Sequence, residues 1–248
     1  LTVIFLSFLA GSSYGALTSR IVGGQETSVL EFPSIVQVES VVSYTWTQNC
    51  AATILNSLYV LSAARCFSGS LYTPDRRRIR AGATYRQVGG EVFGVETEFI
   101  HPSYVTGEAD IVVVRLTNNF EWNLEIQMGW LISQNSVIPD NLPVIYAGWG
   151  FTEEAISSDV LREANVYTVN NGLCRERYAE IGQVVTKNMI CAGVGGRDAC
   201  NNDVGGPLYW DEVIIGVISW GEGCGNGTFP GVNTAVGSYT NWIVSVAV

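Results

Sequence analysis

The sequence predicts an all-β fold, a barrel or sandwich, on three observations. Short apolar or alternating runs recur from residue 21 onward. Clusters of Gly, Asn, Pro and Ser separate them, the punctuation of closely spaced strands. Only two segments read as helices, and one of them ends the chain. A length of 248 residues allows one large domain or two small ones fused, with enough chain to bury a real core. Hydrophobic residues at 47% against charged residues at 15% place it among globular rather than disordered chains.

In order, the strand candidates are SIVQVESV (34–41), ATILNSLYVLSA (52–63), DIVVVRL (110–116), PVIYAGWG (143–150) and EVIIGVISWG (212–221). NNGLCRERYAEI (170–181) opens on an asparagine able to cap a helix, and SYTNWIVSVAV (238–248) is the second helical segment. Residues 118–142 read as a connector between two halves. Ahead of these, VIFLSFLA (3–10) followed by Ser13, Gly15 and Ala16 reads as the apolar core and cleavage site of a secretory signal peptide over 1–15. It is expected to be incomplete, because no initiator methionine or basic segment precedes it. The run is too short to span a membrane and no other apolar run is long enough. A secreted protein without a membrane partner is expected.

A formal charge of −10 argues against nucleic acid as a partner. Six cysteines suit three disulfides in an oxidising compartment, with fifteen possible pairings; free buried thiols or a metal site are the alternatives. Wide spacings, the lack of a C-x-x-C pair and a single histidine argue against the metal. Lys187 is the only lysine, against twelve arginines. Guanidinium keeps its charge above about pH 12, where an ammonium has lost it, so the bias suits an alkaline fluid such as a gut lumen. A lineage preference for arginine would give the same bias. NGT at 226–228 is a glycosylation sequon in a Gly-rich loop, with a plain loop as the alternative for Asn226.

Seven ordered motifs then come together: R-IVGG (20–24), LSAARC (61–66), DIVVVRL (110–116), GWG (148–150), DACNNDVGGP (198–207), SWG (219–221) and PGV (230–232). Over residues 20–248 they resemble the chymotrypsin-like serine proteases, trypsin in particular and the insect digestive type. The resemblance implies two six-stranded antiparallel β-barrels, about 21–125 and 126–248, with a cleft between them and a C-terminal helix. It implies disulfides Cys50–Cys66, Cys174–Cys191 and Cys200–Cys224; closing a loop of about 15 residues is worth roughly 3 kcal/mol. It also implies a propeptide over 16–20, cut after Arg20 by a trypsin-like protease. The new amino group of Ile21 would then pair with Asp203 in the interior. No cofactor or metal is implied.

In this family a serine attacks the scissile carbonyl, a histidine takes its proton, and an aspartate orients the histidine. The resemblance puts Asp110 at the aspartate, but Arg65 at the histidine and Val204 at the serine. A guanidinium cannot accept a proton, and an isopropyl group has no lone pair to attack with. Loss of nucleophile or base alone costs about 10⁶ in turnover. Asn202 stands where the family's oxyanion hole has glycine, so a reoriented peptide is expected, since glycine alone takes positive φ freely. Ser219 lines the cleft without an adjacent base, and His101 belongs to a surface loop away from it.

The specificity pocket looks better kept. The resemblance puts Asp198 at the base of a pocket that selects arginine or lysine, with Ser219 and Trp220 beside it and Gly221 and Gly231 as open walls. Asn233 replaces the usual aromatic at its floor. Arg65 is expected to pair with Asp110, because a buried unpaired carboxylate is costly. The leading expectation is therefore a secreted serine protease homologue without catalysis, binding basic peptides or protein protease inhibitors or serving another protease as partner. The alternative is an active trypsin-like endopeptidase of digestion. A non-functional gene copy is the third possibility.

Overall fold

Strand pairing closes two rings, as the resemblance implies. The computed structural model describes residues 24–70, 72–150, 157–193, 195, 199 and 202–248. The signal peptide (1–15), the propeptide (16–20), Arg20, Ile21, Asp198 and Cys200 lie outside the described residues. A short β1 (Gln25–Glu26) precedes the first barrel. That barrel is built from β2 (Ile35–Val42), β3 (Thr45–Ile54), β4 (Tyr59–Ser62), β5 (Arg77–Ala81), β6 (Glu91–Ile100) and β7 (Val112–Leu116), closed in the order β2-β3-β4-β7-β6-β5. After β8 (Trp130–Leu131) comes the second, from β9 (Pro143–Gly148), β10 (Arg162–Val169), β11 (Met189–Gly193), β12 (Pro207–Trp210), β13 (Val213–Trp220) and β14 (Gly231–Ala235). Its ring runs β9-β10-β11-β14-β13-β12 and closes through β9–β12 pairing. All twelve ring pairings are antiparallel.

Local chemistry explains where the sequence runs break. ATILNSLYVLSA is two strands rather than one, because the carboxamide oxygen of Asn56 accepts from the amides of Leu58 and Tyr59 at 3.0 Å each. An asparagine turned on its own backbone in this way makes a tight turn. Asn170 caps α1 (Asn171–Ala179) by accepting from the Leu173 amide at 3.0 Å, and α2 (Thr240–Val246) ends the chain.

The boundaries at 21–125 and 126–248 need one correction: the two ends of the chain cross over. β1 pairs with β10 of the second barrel. The C-terminus is tied to the first, where Asn56 Nδ2 donates to the Ala247 carbonyl (2.9 Å) and Tyr59 Oη to that of Val248 (2.8 Å). The 118–142 connector is not bare either, since β8 adds to β13 in parallel. These straps make the halves one unit, and a single apolar cluster runs through both, from Val36 and Leu61 to Leu208 and Ile215.

Two disulfides, Cys50–Cys66 and Cys174–Cys191, join residues 16 and 17 apart in sequence. Each closes a loop of the length that contributes roughly 3 kcal/mol. Cys224 is disulfide-bonded too, and its expected partner Cys200 lies outside the described residues.

Candidate active-site cleft

Register brings the central pair together. β4 and β7 run antiparallel with Ser62 opposite Val112. Three residues beyond Ser62 is Arg65, in a 3₁₀ turn over Ala64–Phe67, and two residues before Val112 is Asp110. The two therefore meet just past the paired ends. The backbone amide of Arg65 donates to Asp110 Oδ1 at 3.0 Å, and its Nε to Oδ2 at 2.5 Å. The expected ion pair is present. Its side chains differ in exposure, 43% for Arg65 and 9% for Asp110.

The second barrel completes the surroundings of Asp110. Ser219, at the end of β13, donates from Oγ to Asp110 Oδ2 (2.6 Å), and Thr234 on β14 donates from Oγ1 to the Asp110 carbonyl (2.9 Å). The expectation that Ser219 has no base beside it is thus corrected, since a carboxylate touches it. That carboxylate is already engaged by a guanidinium.

Val204 is partly buried against the core, and its carbonyl accepts from the Ala51 amide of the first barrel at 2.8 Å. Next to it, Asn202 corrects a second expectation. It takes φ +73° despite its side chain, so the peptide is not driven out of the left-handed region. Asparagine is among the few non-glycine residues that adopt this conformation readily. Gln48 of β3 supports it, donating from Nε2 to the Asn202 carbonyl at 2.8 Å. Gln48 was not foreseen, and nothing in its sequence neighbourhood marks it.

Arg65, Val204, Ser219, Trp220, Gly221 and Gly231 line one cavity of about 190 Å³ between the barrels. Gly221 and Gly231 face each other: a β-carbon on Gly221 would sit 3.6 Å from the Gly231 α-carbon, so side chains there would fill the space. At the floor, Asn233 is almost fully buried, and its Nδ2 donates to Tyr146 Oη (2.8 Å) and the Ile190 carbonyl (3.1 Å). The Ile190 carbonyl, which can only accept, marks that end of the amide as nitrogen. The oxygen end, Oδ1, has no partner among the described residues. Tyr146 on β9 supplies the aromatic ring that Asn233 lacks. Period-two alternation could have found it, since Val144, Tyr146 and Gly148 share the buried face of PVIYAGWG.

Gly148 has its own reason. A β-carbon there would lie 1.9 Å from Asp203 Oδ1, and Asp203 also accepts from the Gly150 amide at 2.7 Å. Asp203 is buried, 1% exposed; its expected partner, Ile21, is outside the described residues, as is Asp198. His101 stays away from the cleft. Its Nδ1 accepts from the Ser103 amide (3.1 Å), its ring packs edge-on to Tyr239 and Trp242 at 4.8 Å each, and burial lowers its pKa. Asn226 is exposed, its Oδ1 accepting from the Thr228 amide at 2.9 Å. Among the described residues, no three His, Cys, Asp or Glu side chains are grouped to hold a metal ion, and no helix is long and apolar enough to cross a membrane.

This geometry agrees with what the chain is similar to. A family profile described as Trypsin matches residues 21–243. The chain is 42% identical over 250 residues to "Trypsin, alkaline C" of Manduca sexta, covering 98% of this chain and 97% of that protein. "Trypsin, alkaline A" of the same organism matches at 42% over the same shares. "Trypsin CFT-1" of Choristoneura fumiferana is 40% identical over 235 residues, 90% of each chain. Two closed barrels, two of the three implied disulfides and near full-length similarity converge, and the chain belongs to the trypsin family of chymotrypsin-like serine proteases.

Proposed function

We propose that the protein is a secreted, non-catalytic member of this family that binds basic side chains in its cleft without cutting the chain that bears them. One observation carries the reading: the side chain at the base position is a guanidinium bonded to Asp110 at 2.5 Å, beside a valine at the nucleophile position. A permanently protonated group cannot take the proton that attack requires, and Val204 has no atom to attack with. Asp110 remains, but as the counter-ion of a cation. The signal peptide over 1–15 and cleavage after Arg20 belong to the same reading. Burial of Asp203 in a space kept by Gly148 supports a site prepared for the Ile21 amino group. Asp198, with Gly221 and Gly231 as walls, is the selector of arginine or lysine; a carboxylate offers guanidinium a charge-assisted bond. Bound partners are basic peptides, protein protease inhibitors presenting a basic residue, or another protease. The arginine bias, and the word alkaline in the names of two relatives, support an alkaline extracellular fluid.

The relatives' names favour a second reading, an active trypsin-like endopeptidase of digestion. One experiment separates the two. Protein cleaved at Arg20 is mixed with an arginyl peptide substrate and, separately, with a serine-directed organophosphate. We expect neither hydrolysis nor mass addition. Labelling of a cleft residue together with turnover overturns the proposal. Restoring Arg65→His with Val204→Ser is expected to recover measurable hydrolysis. Because Asn202 already holds φ +73°, adding Asn202→Gly should contribute only a smaller increment.

A further inference from the structure

The basic-pocket reading leaves open what the cleft does with the main chain of its ligand, and Arg65 answers it. A guanidinium carries five N–H donors in one plane. The edge formed by Nε and Nη2 is occupied: Nε donates to Asp110 at 2.5 Å and Nη2 reaches Ser219 Oγ at 3.3 Å. The remaining donors, both on Nη1 and one on Nη2, have no partner among the described residues. Asp110 cannot turn to satisfy them, because its two oxygens are held by the Arg65 amide, Arg65 Nε and Ser219. The side chain is 43% exposed and lines both the 190 Å³ cavity and the groove beside it. A fixed cation thus presents its end edge, one N–H from each terminal nitrogen, at the mouth of the cavity. Two parallel N–H groups match the two oxygens of a carboxylate.

We propose that this edge binds the free α-carboxylate of a peptide ending in arginine or lysine, whose side chain enters the adjoining cavity. The inference rests on the proposed basic pocket and deepens it: the ligand class is peptides already cut after a basic residue, rather than intact chains. The charge of the molecule selects for it. At −10 the protein repels free anions, but a C-terminal basic residue is a zwitterion whose two charges cancel. Glu108 and Glu222 line the groove beside Arg65 and oppose a carboxylate; both are exposed, where water and salt screen them. No bond is made or broken.

The test is calorimetry on protein cleaved at Arg20, using three probes: acetyl-Ala-Ala-Arg with a free carboxylate, the same tripeptide as its C-terminal amide, and the free-acid peptide with norleucine in place of arginine. We expect the acid to bind about tenfold more tightly than the amide, the size of one charge-assisted contact. Norleucine should bind no better than background. The acid–amide ratio should narrow as salt rises. The double variant Arg65→Gln, Asp110→Asn removes both charges without leaving one unpaired, and should bring the ratio to about one. Equal binding of acid and amide to the wild type, which needs no variant to fold, overturns this inference while leaving the pocket intact. If neither arginyl peptide binds, the basic-pocket reading fails beneath it.

Discussion

Glu39 and Asp110 are both buried carboxylates gripped by arginine, yet the arginines lie in a barrel wall in one case and at the mouth of a cavity in the other. Glu39, on β2, has no exposed side-chain surface and is bracketed by Arg78 Nε (2.5 Å) and Arg80 Nε (2.6 Å) from the neighbouring β5. Both guanidinium groups are then used again: Arg80 Nη1 donates to the Gly89 carbonyl at 2.7 Å, and Arg78 lies 4.3 Å over the ring of Trp46. Asp110 holds a single guanidinium whose outer edge faces the cleft. The first arrangement is a wall of the barrel that closes on itself. The second keeps donors in reserve at the mouth of a cavity, which is where a ligand can be met. The ion pair alone does not distinguish a structural from a binding role; where the outer edge of the guanidinium opens does.

The largest effect expected from breaking this contrast is on the wall. Glu39→Ala leaves two arginines side by side without their counter-ion, and removal of one partner from a buried ion pair costs about 3–5 kcal/mol. Urea denaturation should show that loss; a change under about 1 kcal/mol would mean that water replaces the carboxylate and the wall is not closed.

Arg65→Leu should cost less, about 1–3 kcal/mol, because Asp110 keeps the backbone amide of residue 65 and Ser219 as donors. The same denaturation series measures it. Equal losses at Glu39 and Arg65 would erase the distinction between wall and cleft.

The smallest effect sharpens the comparison by separating carboxylates from the one histidine. Burial lowers the His101 pKa, so the folded state favours the neutral ring. Its stabilising effect is complete above the unfolded value of about 6.5 and declines as pH falls through the lower folded value. Between pH 8 and 5 the wild-type Tm should fall slightly, and this slope should vanish in His101→Phe, whose ring still packs against Tyr239 and Trp242. A slope that survives in the variant would assign it to carboxylates instead.

How legible these features were depended on how local their causes are. The strands, the capped helix at Asn170 and the turn residues follow from neighbours in the chain. So did the Arg65–Asp110 pair, once the motifs placed both residues at one site. The conformation of Asn202 did not, because a preference against positive φ of modest size yields to a carbonyl held by Gln48 from the other barrel. Ser219 reaching Asp110, and Tyr146 supplying the ring missing at Asn233, are contacts between residues 109 and 87 apart, which no local pattern encodes.

By itself the sequence determined the all-β class and the family motifs, because those are properties of residue types in order. Only the tertiary structure decided which guanidinium N–H groups remain for a ligand, which barrel each chain end straps, and that Asn202 keeps its turn. Those outcomes depend on hydrogen bonds between segments distant in sequence, where one partner's geometry limits what the other can still offer.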